Sequence, residues 1–222
     1  MPEIMPTLKR SMVSRRFLLS SLALALASLA VHTAPPARAD GTTDTSGAAQ
    51  FLQWLGDQAI TTLRSPNMSL EQREAVFRQL LAQGFDIPFI GRFVLGRYWN
   101  QATPEQRDEY TRLFGEFLLK TYSRRLGGYA GESFRVVGAK PAGERDALVH
   151  TRIERPSGPP LECDWRIRAE SNQYKIIDVM VENVSMALTQ RQEFTSVVGS
   201  SGMDGLLVAL RARTDKAAAA GR

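Results

Sequence analysis

His150 is the side chain best suited to general acid–base work in this sequence. A histidine that activates a serine or cysteine nucleophile needs partners within hydrogen-bond reach. His150 sits in a strand-like segment with no local partner, which favours a structural or surface position. Cys163, the single cysteine, alternates with apolar neighbours and reads as a small core residue rather than a reactive thiol. Asp178 and Glu182 are spaced to share one face of a strand, as paired carboxylates for proton transfer would be, yet a solvated face explains them better. Arg124-Arg125 has the charge to meet a phosphate, but at the end of a helix its simpler role is to complement the helix dipole. No Cys/His or multi-His spacing suits zinc, no glycine-rich phosphate loop follows a strand, and no G-x-S-x-G elbow is present. No catalytic residue, metal or cofactor is expected.

What the chain supplies instead is apolar surface. Phe89, Phe93, Val94, Leu95, Trp99, Phe114, Phe117, Leu118, Trp165, Ile177, Val179 and Val181 come from segments that should face each other. An ordinary packed core is the default for such a set; a partner protein and an oily ligand are the alternatives. The run FIGRFVLGRYW, residues 89–99, is too short to cross a bilayer and too apolar for an exposed loop.

The elements that must position these residues are well marked. A helix is expected from about Ala49 to Leu63, with Phe51, Leu52, Leu55, Ala59 and Ile60 on one side. Ser69-Leu70-Glu71-Gln72 fits a capping box for a second helix, whose stripe is Val76, Phe77, Leu80 and Leu81 and whose end lies near Gly84. Asp86 and Pro88 suit the opening of a short helix containing the apolar run. Thr103-Pro104-Glu105-Gln106 is the strongest start signal, combining a cap, a proline at the first helical position and a box-closing glutamine. That helix carries Tyr110, Leu113, Phe114, Phe117, Leu118 and Tyr122 at helical spacing and stops at Gly127-Gly128.

Four strand-like segments follow, near 132–139, 146–155, 161–169 and 173–183, linked by Pro141 and Gly143, by Pro156 to Pro160, and by Ser171-Asn172. In the fourth, Ile177, Val179 and Val181 are expected on one face and Asp178 and Glu182 on the other. Two helices near 184–198 and 203–214 close the chain before an Ala-rich tail at 215–222. The order predicts an α+β domain over residues 49–214, with helices packed around a small, twisted, four-stranded antiparallel sheet.

Residues 1–39 read as a leader. Lys9, Arg10, Arg15 and Arg16 precede an apolar stretch from Phe17 to Val31, and Ala37-Arg38-Ala39 offers a cleavage site after Ala39. Ser14-Arg15-Arg16-Phe17-Leu18 also resembles a twin-arginine signal, although no residue separates the arginines from Phe17. Cleaved export is the expectation, with a retained membrane anchor as the alternative and residues 40–48 as a flexible mature N-terminus. Five of the 28 basic and one of the 23 acidic side chains lie in the leader, leaving 23 against 22. The basic balance of the whole chain is therefore no argument for nucleic acid, and none is expected as a partner. One cysteine excludes an internal disulfide, so packing must supply the stability.

Residues 93–122, FVLGRYWNQATPEQRDEYTRLFGEFLLKTY, resemble the central signature of the MlaC family of periplasmic phospholipid-binding proteins. WRIRAESNQYKIIDVMVENVSMALTQRQEF and GMDGLLVALRAR resemble its C-terminal half, so the likeness spans about residues 50–213. It implies that sheet and helices enclose an apolar pocket for acyl chains. It also implies a monomeric shuttle carrying phospholipid between an outer-membrane lipoprotein complex and an inner-membrane ABC transporter complex, maintaining lipid asymmetry. By position, the pocket elements correspond to Phe93-Val94-Leu95, the Phe114, Phe117 and Leu118 stripe, and Val179 to Met186, which brings Val184 and Met186 into the set. Similar proteins are associated with hopanoid loci, so a hopanoid is the alternative cargo. An enzyme acting on a hydrophobic substrate, with Asp178, Glu182 or His150 as base, and an adaptor with a solid interior are the competing readings.

Overall fold

The computed structural model describes residues 43–123, 130–170 and 173–219. The leader, Arg124-Arg125, Gly127-Gly128, Ser171-Asn172 and residues 220–222 lie outside the described residues. Five α-helices precede the sheet: α1 (Thr45–Arg64), α2 (Leu70–Gly84), α3 (Ile87–Leu95), α4 (Tyr98–Gln101) and α5 (Pro104–Ser123). Strands β1 (Ser133–Pro141), β2 (Asp146–Glu154), β3 (Leu161–Glu170), β4 (Gln173–Val181) and β5 (Val184–Ser185) follow, and α6 (Met186–Ala219) ends the fold. The sheet is an antiparallel meander in the order β1-β2-β3-β4-β5. Among the described residues, no helix is long and apolar enough to cross a membrane.

Local chemistry explains most of the boundaries. Both capping boxes form: Gln72 N donates to Ser69 Oγ at 3.2 Å, and Gln106 N donates to Thr103 Oγ1 at 3.2 Å. Each glutamine accepts in return from the cap's own N–H, at 2.8 and 3.0 Å. The Gln106 amide also donates to Asp204 at 2.8 Å, tying the start of α5 to α6. Thr103→Ala should therefore lower stability by about 1 kcal/mol, read as a shifted urea midpoint with an unchanged slope.

Four expectations are corrected. Helix α1 begins at Thr45, inside the expected flexible stretch 40–48, because Asp44 caps it by accepting from Gly47 N at 2.8 Å and also accepts from the Tyr174 hydroxyl on β4. The Gly47 N–H, and then the Tyr174 hydroxyl, hold the Asp44 carboxyl below its ordinary range. The apolar run is two helices rather than one, since Gly96 adopts φ 59° and ψ −129°, a region that excludes other residues. A fifth, two-residue strand precedes α6: Glu182 and Asn183 turn the chain with φ of 50° and 64°, the sign pattern of a tight hairpin, so Glu182 leaves β4. The closing helical segment runs to Ala219 instead of 214, while the non-helical Gly202 (φ 70°, ψ −180°) divides it into two helices, as expected.

The sheet has two chemically different sides. Residues paired across the α1-facing side include Val149, Thr151, Cys163, Trp165, Ile167, Ile176, Val179 and Val181. The opposite side carries cross-strand charges, among them Asp146 with Arg166 and Arg168, and Arg152 with Glu162. β1 is an outer strand, with a bulge between Val136 and Gly138 that leaves Val137 48% exposed.

Candidate functional site

Two apolar clusters fill the interior. In the first, α3 contributes Ile90, Val94 and Leu95, α5 contributes Tyr110, Leu113, Phe114 and Phe117, and α6 contributes Phe194, Val198, Leu206, Leu207 and Leu210. Its centre is aromatic. Tyr110 stacks on Phe114 with centroids 5.7 Å apart, and Phe194 meets both rings edge-on at 6.2 Å. Tyr110 is fully buried and its hydroxyl donates to the Gly91 carbonyl at 2.9 Å, while burial pushes the phenol well above its ordinary range. The buried polar tip thus has a partner, as a low-dielectric interior requires.

The second cluster packs Ala48, Leu52 and Leu55 of α1 on Ala147, Val149, Ile167 and Ile176 of the sheet. A close approach of α1 and α2 seals one side: a Cβ at Gly84 would lie 2.6 Å from a Leu55 methyl. Phe85 follows Gly84 and packs against both clusters. Its ring meets Trp165 edge-on at 6.4 Å, and Trp165 meets Phe134 at 6.3 Å. The indole N–H donates to Thr151 Oγ1 at 2.8 Å, and that hydroxyl donates to the Cys163 carbonyl at 3.2 Å. Trp165 is thereby fixed, polar edge inward. Phe85, which joins the two clusters, forms a seam of partly exposed apolar side chains with Trp165 and its register partner Val179 on the sheet cluster. Phe85 alone of the three lines an open cleft of about 400 Å³.

The expected pocket residues distribute unevenly over this frame. Val94, Leu95, Phe114 and Phe117 are buried in the helical cluster, with Phe93, Trp99 and Leu118 at its margin. Trp165 and Val179 lie on the seam, with Val181 beyond them on the same side and partly exposed. Met186 is partly buried at the start of α6. Ile177 does not share a face with Val179 and Val181. Arg166 pairs with Asp178 and Ile167 with Ile176, so Ile177 is the extra residue of a bulge and Ile176 takes the expected place. Val184 stands apart, 52% exposed in the two-residue edge strand.

The groups with catalytic potential are held in structural contacts. Asp178 accepts from Ser185 Oγ at 2.6 Å, Val179 N at 2.8 Å and Ala187 N at 3.1 Å, which fastens the start of α6 to β4. Glu182 is exposed in the turn. His150, on the charged side of the sheet, pairs through Nδ1 with Asp164 across the strands at 2.8 Å. Cys163 is buried, and burial, followed by the charge of Asp164, raises its thiol pKa. Among the described residues, no group of three or more His, Cys, Asp or Glu side chains is placed to hold a metal ion.

Sequence reasoning missed Phe85, Phe194 and Asp146. Phe194 and Val198 are four apart on one helix, a signal that was available. Asp146 is 4% exposed and accepts from Arg166 Nε at 2.8 Å and from Arg168 Nε and Nη2 at 2.8 and 3.1 Å. Only strand register brings those residues together.

These arrangements define an α+β protein built on two apolar clusters that meet along a partly open seam. The chain belongs to the MlaC protein family, whose family model matches residues 53–212. It is 20% identical over 169 residues to an intermembrane phospholipid transport system binding protein, MlaC, of Haemophilus influenzae, covering 72% of this chain and 79% of that one. A phospholipid-binding protein from Ralstonia solanacearum, solved in complex with a phospholipid, has the same fold at 22% identity. Its TM-score is 0.70, over 77% of this chain and 98% of the other.

Proposed function

We propose that this protein is a non-enzymatic periplasmic carrier that sequesters the acyl chains of a phospholipid between its two apolar clusters. The mature chain carries it as a monomer between an outer-membrane lipoprotein complex and an inner-membrane ABC transporter complex. The observation that carries the reading is the seam. Phe85, Trp165 and Val179 stay partly exposed although they adjoin a buried interior, so chains can enter by parting two clusters instead of unfolding one. Family membership and the phospholipid held by the Ralstonia protein support the cargo. In this reading the pocket residues are Phe93, Val94, Leu95, Trp99, Phe114, Phe117, Leu118, Trp165, Val179, Val181 and Met186, with Phe85 added and Ile177 and Val184 peripheral.

Transfer energetics suit a carrier. Each methylene withdrawn from water gains about 0.8 kcal/mol, so two 16-carbon chains represent roughly 25 kcal/mol gross. That exceeds the ceiling of non-covalent affinity, about 18 to 21 kcal/mol. The relevant competitor is the bilayer, where the chains are already dry. Exchange then runs near balance, and direction comes from the partner complexes.

The test is to purify the mature protein from a periplasmic extract and identify solvent-extracted lipid by mass spectrometry. About one phospholipid per protein is the expected result. A hopanoid would change the cargo; a folded protein that stays empty after incubation with phospholipid vesicles would overturn the reading. Val179→Glu should cut bound lipid at least tenfold, because a carboxylate would be buried unpaired among the chains. Full lipid content in a folded Val179→Glu protein would remove that residue from the pocket.

A further inference from the structure

The helical cluster has a second accessible margin, where charge is distributed differently from the rest of the surface. A groove of about 250 Å³ opens over α3, α4 and α6, with Phe89, Phe93 and Trp99 as its apolar walls. All three rings also pack against the helical cluster, so the groove lies directly outside the buried interior. Arg92 and Arg191 line the same groove. The Arg191 guanidinium carbon lies 5.1 Å from the centre of the Phe93 ring, and that of Arg92 lies 5.9 Å from the Trp99 ring.

Three arginines elsewhere on the helices meet carboxylates, Arg78 with Glu116, Arg211 with Glu109 and Arg213 with Glu193. Arg107, 5.7 Å from the same Trp99 ring, donates to the Trp99 and Asn100 carbonyls. Among the described residues, Arg92 and Arg191 form neither an ion pair nor a hydrogen bond. Two cations on one small groove repel each other, and aromatic faces compensate only part of that. A guanidinium over a ring keeps its in-plane N–H edge for an acceptor. Gly96 leaves room for the Arg191 guanidinium, since a Cβ there would sit 3.0 Å from both its Nε and Nη2.

We propose that this groove binds the phosphate of an anionic phospholipid, with Arg92 and Arg191 as the donors and Phe93 and Trp99 against its glycerol and first methylenes. The inference rests on the carrier reading and gives it a headgroup preference. A net-anionic lipid offsets one of the two positive charges; a zwitterionic one brings its own cation beside them and offsets none. Each guanidinium contributes on the order of tenfold in affinity, the ordinary worth of a hydrogen bond to a charged group.

Two measurements test this. Wild type and Arg92→Gln/Arg191→Gln are purified from one host, and the extracted lipids are quantified by headgroup. Wild type should be enriched in anionic lipid over the host membrane, and the lipid held by the double variant should show the host membrane's own headgroup ratio. Identical headgroup profiles would overturn the inference and leave the carrier standing, whereas two empty proteins would remove both. In the second, delipidated protein is titrated with dihexanoyl phosphatidylglycerol, dihexanoyl phosphatidylcholine and inorganic phosphate, the lipids below their micellar concentrations. Phosphatidylglycerol should bind at least tenfold tighter than the other two, in wild type only, with Arg191→Lys intermediate because it keeps the charge and loses the planar fork. Inorganic phosphate binding as tightly as phosphatidylglycerol would overturn the lipid assignment, as would equal affinities of wild type and double variant.

Discussion

Phe194→Ala is expected to lower stability by about 4 kcal/mol, within the range for truncating a buried phenylalanine. Phe194 is 1% exposed and stands edge-on to Tyr110 and Phe114, with Phe117 also in contact. Its partners are held by α5 while it belongs to α6, so the ring joins two elements distant in sequence. The Tyr110 hydrogen bond to Gly91 ties α5 to α3 and so resists collapse of α5 into the space left behind. Phe194→Leu, which keeps most of the volume, should cost under about 1.5 kcal/mol. Urea midpoints of the two variants decide the matter. Similar losses for both would mean that the helical cluster is loosely packed.

Asp146→Asn is the second large effect, about 3 kcal/mol at neutral pH, at the low end for a broken buried pair. The lower figure allows for Arg166, whose side chain is 45% exposed and therefore screened. Burial by itself would raise the Asp146 pKa, but the hydrogen bonds from Arg168 and Arg166 outweigh it and hold the carboxyl below its ordinary range. The sign follows from linkage. A carboxyl with a depressed folded pKa contributes its full stability above the unfolded carboxylate pKa, near 3.9, and loses it as pH falls through the folded value. Urea midpoints of wild type and variant should therefore differ most at pH 6–7 and converge in acid. A gap independent of pH would mean that Asp146 acts through shape and not charge.

Much of this architecture was readable from local chemistry, because caps, turn glycines and alternation act over a few residues. Ser69 and Thr103 start helices where their boxes say they should, and the four long strands fall close to their alternating segments. The failures share one cause. A bulge beside Ile167 adds a residue that no alternation reveals, which turned Ile177 off the expected face. Gly96 reads as one glycine in an apolar run until its dihedral angles show that the helix must end there. Phe85 joins two clusters, and Asp146 joins two arginines, through contacts defined by register and layer packing. The chemistry was legible at the level of absence and supply, while the seam and the basic groove are products of assembly.

The outer strand β1 has a consequence for behaviour in a crowded compartment. Among the described residues β1 has no strand on its outer side, and such a border can recruit a strand from another copy. Here the border is interrupted: the bulge at Val137 breaks its repeat, the Val136 N–H is taken by Gln53, Pro141 removes a donor at its end, and Lys140 places positive charge along it. A neighbouring molecule offering the same border would meet like charges and mismatched spacing. This border is therefore a poor template for edge-to-edge growth, so a partly open apolar interior is not joined by a second route to self-association.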